Sequence, residues 1–319
     1  MRNLKGTYMS SLLTNIAART ALATLTQTNR SLEMTQTRIA TGYRVGSARD
    51  NAAYWSIATT MRSDNAALST VQDALGLGQA TVDVASNAIE SAIDVVSEIK
   101  NKLVAAREPG VDKAKIQSEI TELQNQLSSV ASASVFSGEN WLSVNSGTTG
   151  YNATKQIVAS FSRSGSTVSV GTISINTANI KLYDADTTGV GILDGSRGAN
   201  GALSTTGTFT ISSFNISTLT DSTTDITTLE SYIAGADAAI TSMTTAASTL
   251  GAVSSRIEMQ KDFVSGLMDA IDRGIGQLVD ADMNEESTKL QALQVQAQLG
   301  IQALSIANQS SQNILALFR

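Results

Sequence analysis

Few side chains in this sequence could do chemistry, and the absences decide more than the presences. The 319 residues contain no histidine and no cysteine, which removes imidazole bases, thiolate nucleophiles, disulfides and the usual zinc ligand set. Two carboxylate groupings remain. Asp280, Asp282 and Asn284 place oxygens at alternate positions, as a calcium loop does, but Glu285 stands where such a loop needs glycine and Gln291 where it needs a bidentate glutamate. Asp282 with Glu285 three residues on reads better as a helix cap than as a ligand set. Asp184 and Asp186 have no identifiable catalytic partner. Asn152-Ala153-Thr154 and Asn215-Ile216-Ser217 fit the N-glycosylation pattern. We therefore expect no catalytic, cofactor or metal site, and no enzyme.

Charge narrows the partners. A net charge of −6 and an isoelectric point near 4.8 argue against nucleic acid or an anionic membrane. No apolar run reaches transmembrane length. Thr14, Asn15 and Arg19 interrupt the stretch that follows the two basic residues of the first six, so no cleaved signal peptide is expected. Met9 opens a cleaner amphipathic helix than Met1, so either methionine can serve as the start, and the intact mass of the native protein decides between them.

The elements that carry these residues are long helices. Aromatic residues make up 4% of the chain and proline occurs once, at Pro109, so helices can run far without a break. Over 68–103 small or apolar residues alternate at spacings of three and four: Leu68, Val71, Leu75, Gly78, Val82, Ala85, Ile89, Ala92, Val96, Ile99 and Leu103. Such a heptad helix is about 50 Å long and needs partners of equal length. Gly76 and Gly78 read as small residues that let a second helix approach. A turn at Glu108, Pro109 and Gly110, then Asp112 as cap, starts a helix with Ile116, Ile120, Leu123, Leu127 and Val130 as its stripe. The longest seam runs from Ile226 through Ile240, Ala247 and Leu250 to Leu278, and a fresh helix starts near Asp282. At the front, Ala18, Leu22, Leu25, Asn29, Leu32, Gln36 and Ile39 form another heptad, followed by a loop over 42–51 with Asp50 or Asn51 capping the next helix.

Composition changes near residue 143. From there to about 225 the chain is rich in Gly, Ser, Thr and Asn, with alternating runs at 167–175 and 208–216 that predict strands and a slip of the alternation at Gly171. The expected fold is mainly α: a long antiparallel coiled-coil frame from both chain ends, with a small β-rich domain inserted. Expected domains are 9–50 with 286–319 as the terminal coiled coil, 51–143 with 225–285 as the long bundle, and 144–224 as the β-rich surface domain. Two paired terminal helices cannot hide the stripe of Leu290, Leu293, Ile301, Leu304, Ile314, Leu315 and Phe318, so the surplus should be buried against other copies.

At this point the chain resembles the bacterial flagellins. The segment Ile39-Ala40-Thr41-Gly42-Tyr43-Arg44-Val45-Gly46-Ser47-Ala48-Arg49-Asp50-Asn51-Ala52-Ala53 is similar to the one that follows their first helix. The ending from Gln302 through Ala307-Asn308-Gln309-Ser310-Ser311-Gln312-Asn313 to Phe318-Arg319 is similar to their C-terminus. The resemblance implies an extracellular flagellar filament subunit, exported through a type III channel, that polymerises with copies of itself and other flagellins. Subunit contacts are then expected at Leu22, Leu25, Leu32, Ile39, Arg44, Arg49, Asp50, Leu290, Leu293, Leu304, Ile314, Leu315 and Phe318. An export chaperone, a cap and a junction protein are implied as partners. Alternative functions are a hook–filament junction protein, or a filament-displayed adhesin using Tyr151, Phe161, Tyr183, Phe209 or Phe214 to stack on sugars. Many flagellins activate a vertebrate Toll-like receptor through Arg-Val-Arg-Glu-Leu; the counterpart here, Ile99-Lys100-Asn101-Lys102-Leu103, keeps only the leucine, so weak activation is expected.

Overall fold

A computed structural model describes residues 14–165, 167–186, 190–204 and 207–317, with the side chains at 311 and 313–317 left aside. The chain divides into two compact units: one takes the described residues up to Asn65 and from Ala270 onward, the other Ala66–Asp269.

The second unit is built on α3 (Lys113–Ala133) and on the stretches of α2 (Ala52–Ala105) and α4 (Thr223–Val279) that fall within 66–269, α1 (Ile16–Thr41) being a helix of the first unit. Every member of the 68–103 heptad on α2 is buried. Alternating bulky and small residues allow this, since each large side chain meets a gap on its neighbour. Asp112 caps α3 as expected, its carboxylate accepting the N–H of Ala114 and Lys115. Three ion pairs accompany the antiparallel register: Lys100–Asp237 between α2 and α4, Arg107–Glu230 between the turn after α2 and α4, and Lys102–Glu119 between α2 and α3, each at 2.5 Å. All are solvent-exposed in part and contribute at most about 1 kcal/mol each; the apolar seam holds the bundle. On α4 the buried positions include Ala239 and Ala246, where the sequence pattern pointed one residue later to Ile240 and Ala247.

The strands are few. β1 (Val135–Phe136) pairs with β2 (Glu139–Asn140) around Ser137 and Gly138, both at positive φ, as a two-residue hairpin loop requires. Trp141, donating to Glu139 from its indole nitrogen, follows at 4% exposure. β3 (Ser143–Val144) runs parallel to β6 (Tyr183–Asp184). The one long ribbon among the described residues is the antiparallel hairpin of β4 (Thr154–Ser164) and β5 (Thr167–Asn176). Its register slips between Val158 and Ser160, with Gly171 opposite, so the broken alternation at Gly171 marks a bulge. The bulge changes the face. Ile157, Ala159, Ile173 and Ile175 are buried on one side, whereas beyond it Val168 and Val170, the latter paired with Phe161, lie on the other side at 46% and 53% exposure. Ile157 lies over Gly78, where an added Cβ would come within 2.5 Å of it. Gly78 therefore makes room for a strand side chain, not for a second helix.

No strand forms at 208–216. Apart from a single bridge from Phe209 to Arg197, these residues make turns, and their alternating Phe209, Ile211, Phe214 and Ile216 are all buried. Tyr232 of α4 packs on Phe209 and Phe214 at 4.7 and 5.0 Å between ring centres. From α3, Gln124 donates to the carbonyls of Ile211 and Phe214, and Gln117 accepts the N–H of Ile216. These glutamines satisfy backbone groups that a strand would have paired with another strand. Asp184 is a second organiser: it accepts from buried Lys181 and from the N–H of Ser146 and Asp186. Burial opposes ionisation there, but those donors outweigh it and hold its carboxyl well below the ordinary range. Asp194, accepting from Gly191 and Asp184 N–H, is instead raised, chiefly by burial.

Candidate assembly surface

In the first unit α1 (Ile16–Thr41) lies antiparallel to α5 (Met283–Leu317). Asn15, the N-cap of α1, donates from its side chain to Ala307 O at 2.9 Å; at the other end Arg38 pairs with Glu286 at 2.9 Å. Between them Gly300 faces Leu25, leaving 3.2 Å to an added Cβ. The contact face of α1 is Ala18, Ala21, Leu25, Thr28, Leu32, Thr35 and Ile39, all buried or half-buried. This corrects three of the seven expected seam positions. Leu22, Asn29 and Gln36 are exposed, and Ala21, Thr28 and Thr35 take their places one residue earlier. Small residues at those positions let the backbones approach closely, and the Thr28 hydroxyl is satisfied within its own helix by Thr24 O. On α5 Leu290, Leu293 and Leu304 of the expected stripe are buried or half-buried, together with Ala297, Gly300 and Ala307, whereas Ile301 is exposed.

The loop at 42–51 is stitched to the end of α4. Arg44 and Val45 give their N–H groups to Val279 O at 2.7 and 3.2 Å, the Arg44 guanidinium donates to Leu278 O, and Ala281 N–H reaches Gly42 O. Helix-terminal carbonyls lack intrahelical donors, so a cation there satisfies both the hydrogen bonds and the helix dipole. Asp50 folds back on its own loop, accepting the Ser47 hydroxyl and the N–H of Ser47 and Gly46, which hold its carboxyl below the ordinary value. Asn51, not Asp50, caps α2, accepting the N–H of Ala53 and Tyr54. Arg49 is exposed and has no ion-pair partner among the described residues. Val45, Ala58, Ile275 and Val279, flanked by Met61, Ile271 and Leu278, make the small core beneath the loop. Asp282 caps α5 through the N–H of Asn284 and Glu285, so the acidic cluster does structural duty.

Much apolar surface in this unit stays uncovered. Leu22 is 53% exposed, and α5 presents Val295, Leu299, Ile301 and Ile306 at 55–67% on the sides away from α1. Trp55 and Tyr54, on the first turn of α2, are also open. A helix apolar on more than one side is a helix meant to be surrounded. Ile314 and Leu315 lie in the last turns of α5, where only the backbone is described, and Phe318 lies outside the described residues. Sequence reasoning missed Arg38 and Glu286, whose pairing joins positions 248 residues apart.

The comparisons with known proteins agree with this geometry. The profile of the bacterial flagellin N-terminal helical region matches residues 12–147, and that of the C-terminal helical region matches residues 233–318. The chain belongs to the bacterial flagellins. Flagellin C of Rhizobium meliloti (strain 1021) is 53% identical over 323 aligned residues, covering 98% of this chain and all of that protein. Flagellin A of the same strain is 46% identical, and the flagellin of Brucella melitensis biotype 1 is 47% identical, with the same coverage. This flagellin is therefore a structural subunit of the bacterial flagellar filament, polymerises with other flagellin copies, and is not an enzyme. The junction and adhesin readings are not favoured. Phe209 and Phe214, two of the rings an adhesin would use, are 7% and 4% exposed and stacked on Tyr232. Among the described residues of this flagellin no helix is long and apolar enough to cross a membrane.

Proposed function

We propose that copies meet through the faces of α1 and α5 left bare in the single chain, with Leu22, Val295, Leu299 and Ile306 as anchors and Arg49 at the rim. The observation that carries this is the apolar character of α5 on sides that α1 does not touch. Leu25, Leu32, Ile39, Leu290, Leu293 and Leu304 act one step earlier: they hold α1 to α5 so that the outer faces are presented together. Ile314, Leu315 and Phe318 are proposed as further subunit contacts from the sequence alone. Contacts between unlike faces whose rotation does not close into a ring build an open helical polymer.

A division of labour follows: 9–50 and 286–319 serve as filament core, 51–143 and 225–285 as the supporting bundle, and 144–224 as the outward domain. The bare α5 also gives an export chaperone its target before assembly, while cap and junction proteins meet the two filament ends. Seeded polymerisation tests the reading. Filament fragments should be extended by the full chain, and not by chains lacking residues before Arg49 or after Glu286. Extension by either truncated chain at the full rate would overturn it. A chain that blocks growth at fragment ends would instead be a junction protein.

A further inference from the structure

The sequence holds one Asn-Gly pair, Asn200-Gly201, and one Asp-Gly pair, Asp194-Gly195. These are the dipeptides in which a backbone nitrogen most easily attacks the preceding side chain, because glycine puts no side chain in the way. Both lie in one loop and both are clamped in the same manner. In each, the nitrogen that would attack already donates its hydrogen: Gly201 N–H to Gly198 O at 2.8 Å, Gly195 N–H to Gly191 O at 3.1 Å. In each, the side-chain oxygen is held by backbone donors: Asn200 by Ala202 N–H, Asp194 by Gly191 and Asp184 N–H. Arg197, 1% exposed, lies between the pairs in sequence and ties Gly201 to the start of the loop, donating from Nη1 to Gly201 O at 2.7 Å and from Nη2 to Ile192 O at 2.6 Å. Neither glycine can be exchanged. An added Cβ at Gly201, whose φ is +75°, would come within 2.4 Å of the Ala234 backbone, and one at Gly195 within 2.5 Å of Leu203 and Val190.

We propose that Asn200 is a site of spontaneous deamidation that the Arg197-clamped loop holds shut in the folded chain and that opens when the loop unfolds. In the step, Gly201 N gives up its proton and its lone pair forms a bond to Asn200 Cγ. The Cγ–Nδ2 bond breaks, and the side-chain nitrogen leaves as ammonia. Solvent water then opens the five-membered imide at either carbonyl, leaving aspartate or isoaspartate at 200. The isoaspartate adds a methylene to the main chain inside a turn whose next residue is wedged against α4, so a modified chain cannot re-form it. On release Asn200 reacts ahead of Asp194, because the amide loses ammonia at neutral or alkaline pH whereas the Asp194 carboxylate must first be protonated.

The test incubates the full chain at mildly alkaline pH, folded in buffer and unfolded in urea at matched temperature. Peptide mass spectrometry scores the amide-to-acid gain at 200, and enzymatic methylation scores isoaspartate. We expect conversion at least ten-fold slower in the folded chain, as for a site reached only by local opening that costs about 1.4 kcal/mol or more. Arg197→Met, examined under folding conditions, should move the rate toward the unfolded value. Equal rates in the folded and unfolded wild type would overturn the proposal whatever the variant does.

Discussion

The two units spend the same residue types differently. Along α2 the heptad from Leu68 to Leu103 is wholly buried within one chain, whereas on α1 and α5 large apolar residues such as Leu22, Leu299 and Ile306 stand more than half exposed. Charge divides as well. The unit of the chain ends holds 11 of the 22 basic residues but 8 of the 28 acidic ones, a net of +3 against −9 for residues 66–269. The unit with the finished core carries the strong like charge that keeps proteins apart in solution, and the unit with the unfinished core carries little of it. Finishing a hydrophobic surface inside one chain and finishing it between chains call for different charge as well as different packing.

That contrast can be broken most severely at α5. Leu299→Asp with Ile306→Asp should abolish seeded filament growth, since buried anchors at interfaces each cost about 2 kcal/mol or more, while thermal unfolding of the monomer stays unchanged. Growth at the wild-type rate would remove the basis for the contrast. The converse change is Ile89→Ala on α2, which should destabilise the monomer by about 2–5 kcal/mol in urea denaturation, against within about 0.5 kcal/mol for Leu22→Ala. Equal losses at the two sites would mean that α1 is as fully packed as α2. Arg38→Met should weaken the α1–α5 pair by about 1–3 kcal/mol, because it strands Glu286, 6% exposed, in a buried setting. Hydrogen exchange localised to α1 reads this out.

Acid sharpens the contrast more gently. Asp184 has a lowered folded pKa, so its contribution is present above the ordinary aspartate value of ~3.9 and is lost as pH falls through the folded value below it. Asp194, raised by burial, acts with the opposite sign above ~3.9 and offsets part of this. The wild-type unfolding midpoint should drop as pH goes below ~4, with a shallower drop in Asp184→Asn; parallel curves would show that Asp184 does not govern it. The smallest expected signal is in Toll-like receptor reporter cells. Ile99 and Leu103 are fully buried and Lys100 and Lys102 engage Asp237 and Glu119, so this stretch offers no arginine pair. Strong activation would contradict that.

How much of this was legible depended on distance along the chain. The α2 seam, the caps at Asp112 and Asp282 and the slip at Gly171 are local patterns, and each appears where spacing placed it. The α1 seam misled because bulk draws the eye to Leu22, whereas close approach of two backbones selects Ala21, Thr28 and Thr35. Residues 208–216 misled in another way. Alternating apolar residues fit a strand, but the three-residue step from Ile211 to Phe214 belongs to a turn anchored on Tyr232, Gln117 and Gln124. Arg44 at the end of α4 and the Arg38–Glu286 pair needed partners more than 200 residues away, which no local pattern announces.

The chain has just two tryptophans, and they report on different things. Trp141 is shut away at 4% exposure, and Trp55 stands at 36% on the opening turn of α2. One emitter is a fixed internal standard and the other an open window, so the molecule carries its own label-free optical gauge. A blue shift confined to the second fluorophore would follow its environment drying out in real time, with no dye and no engineered probe.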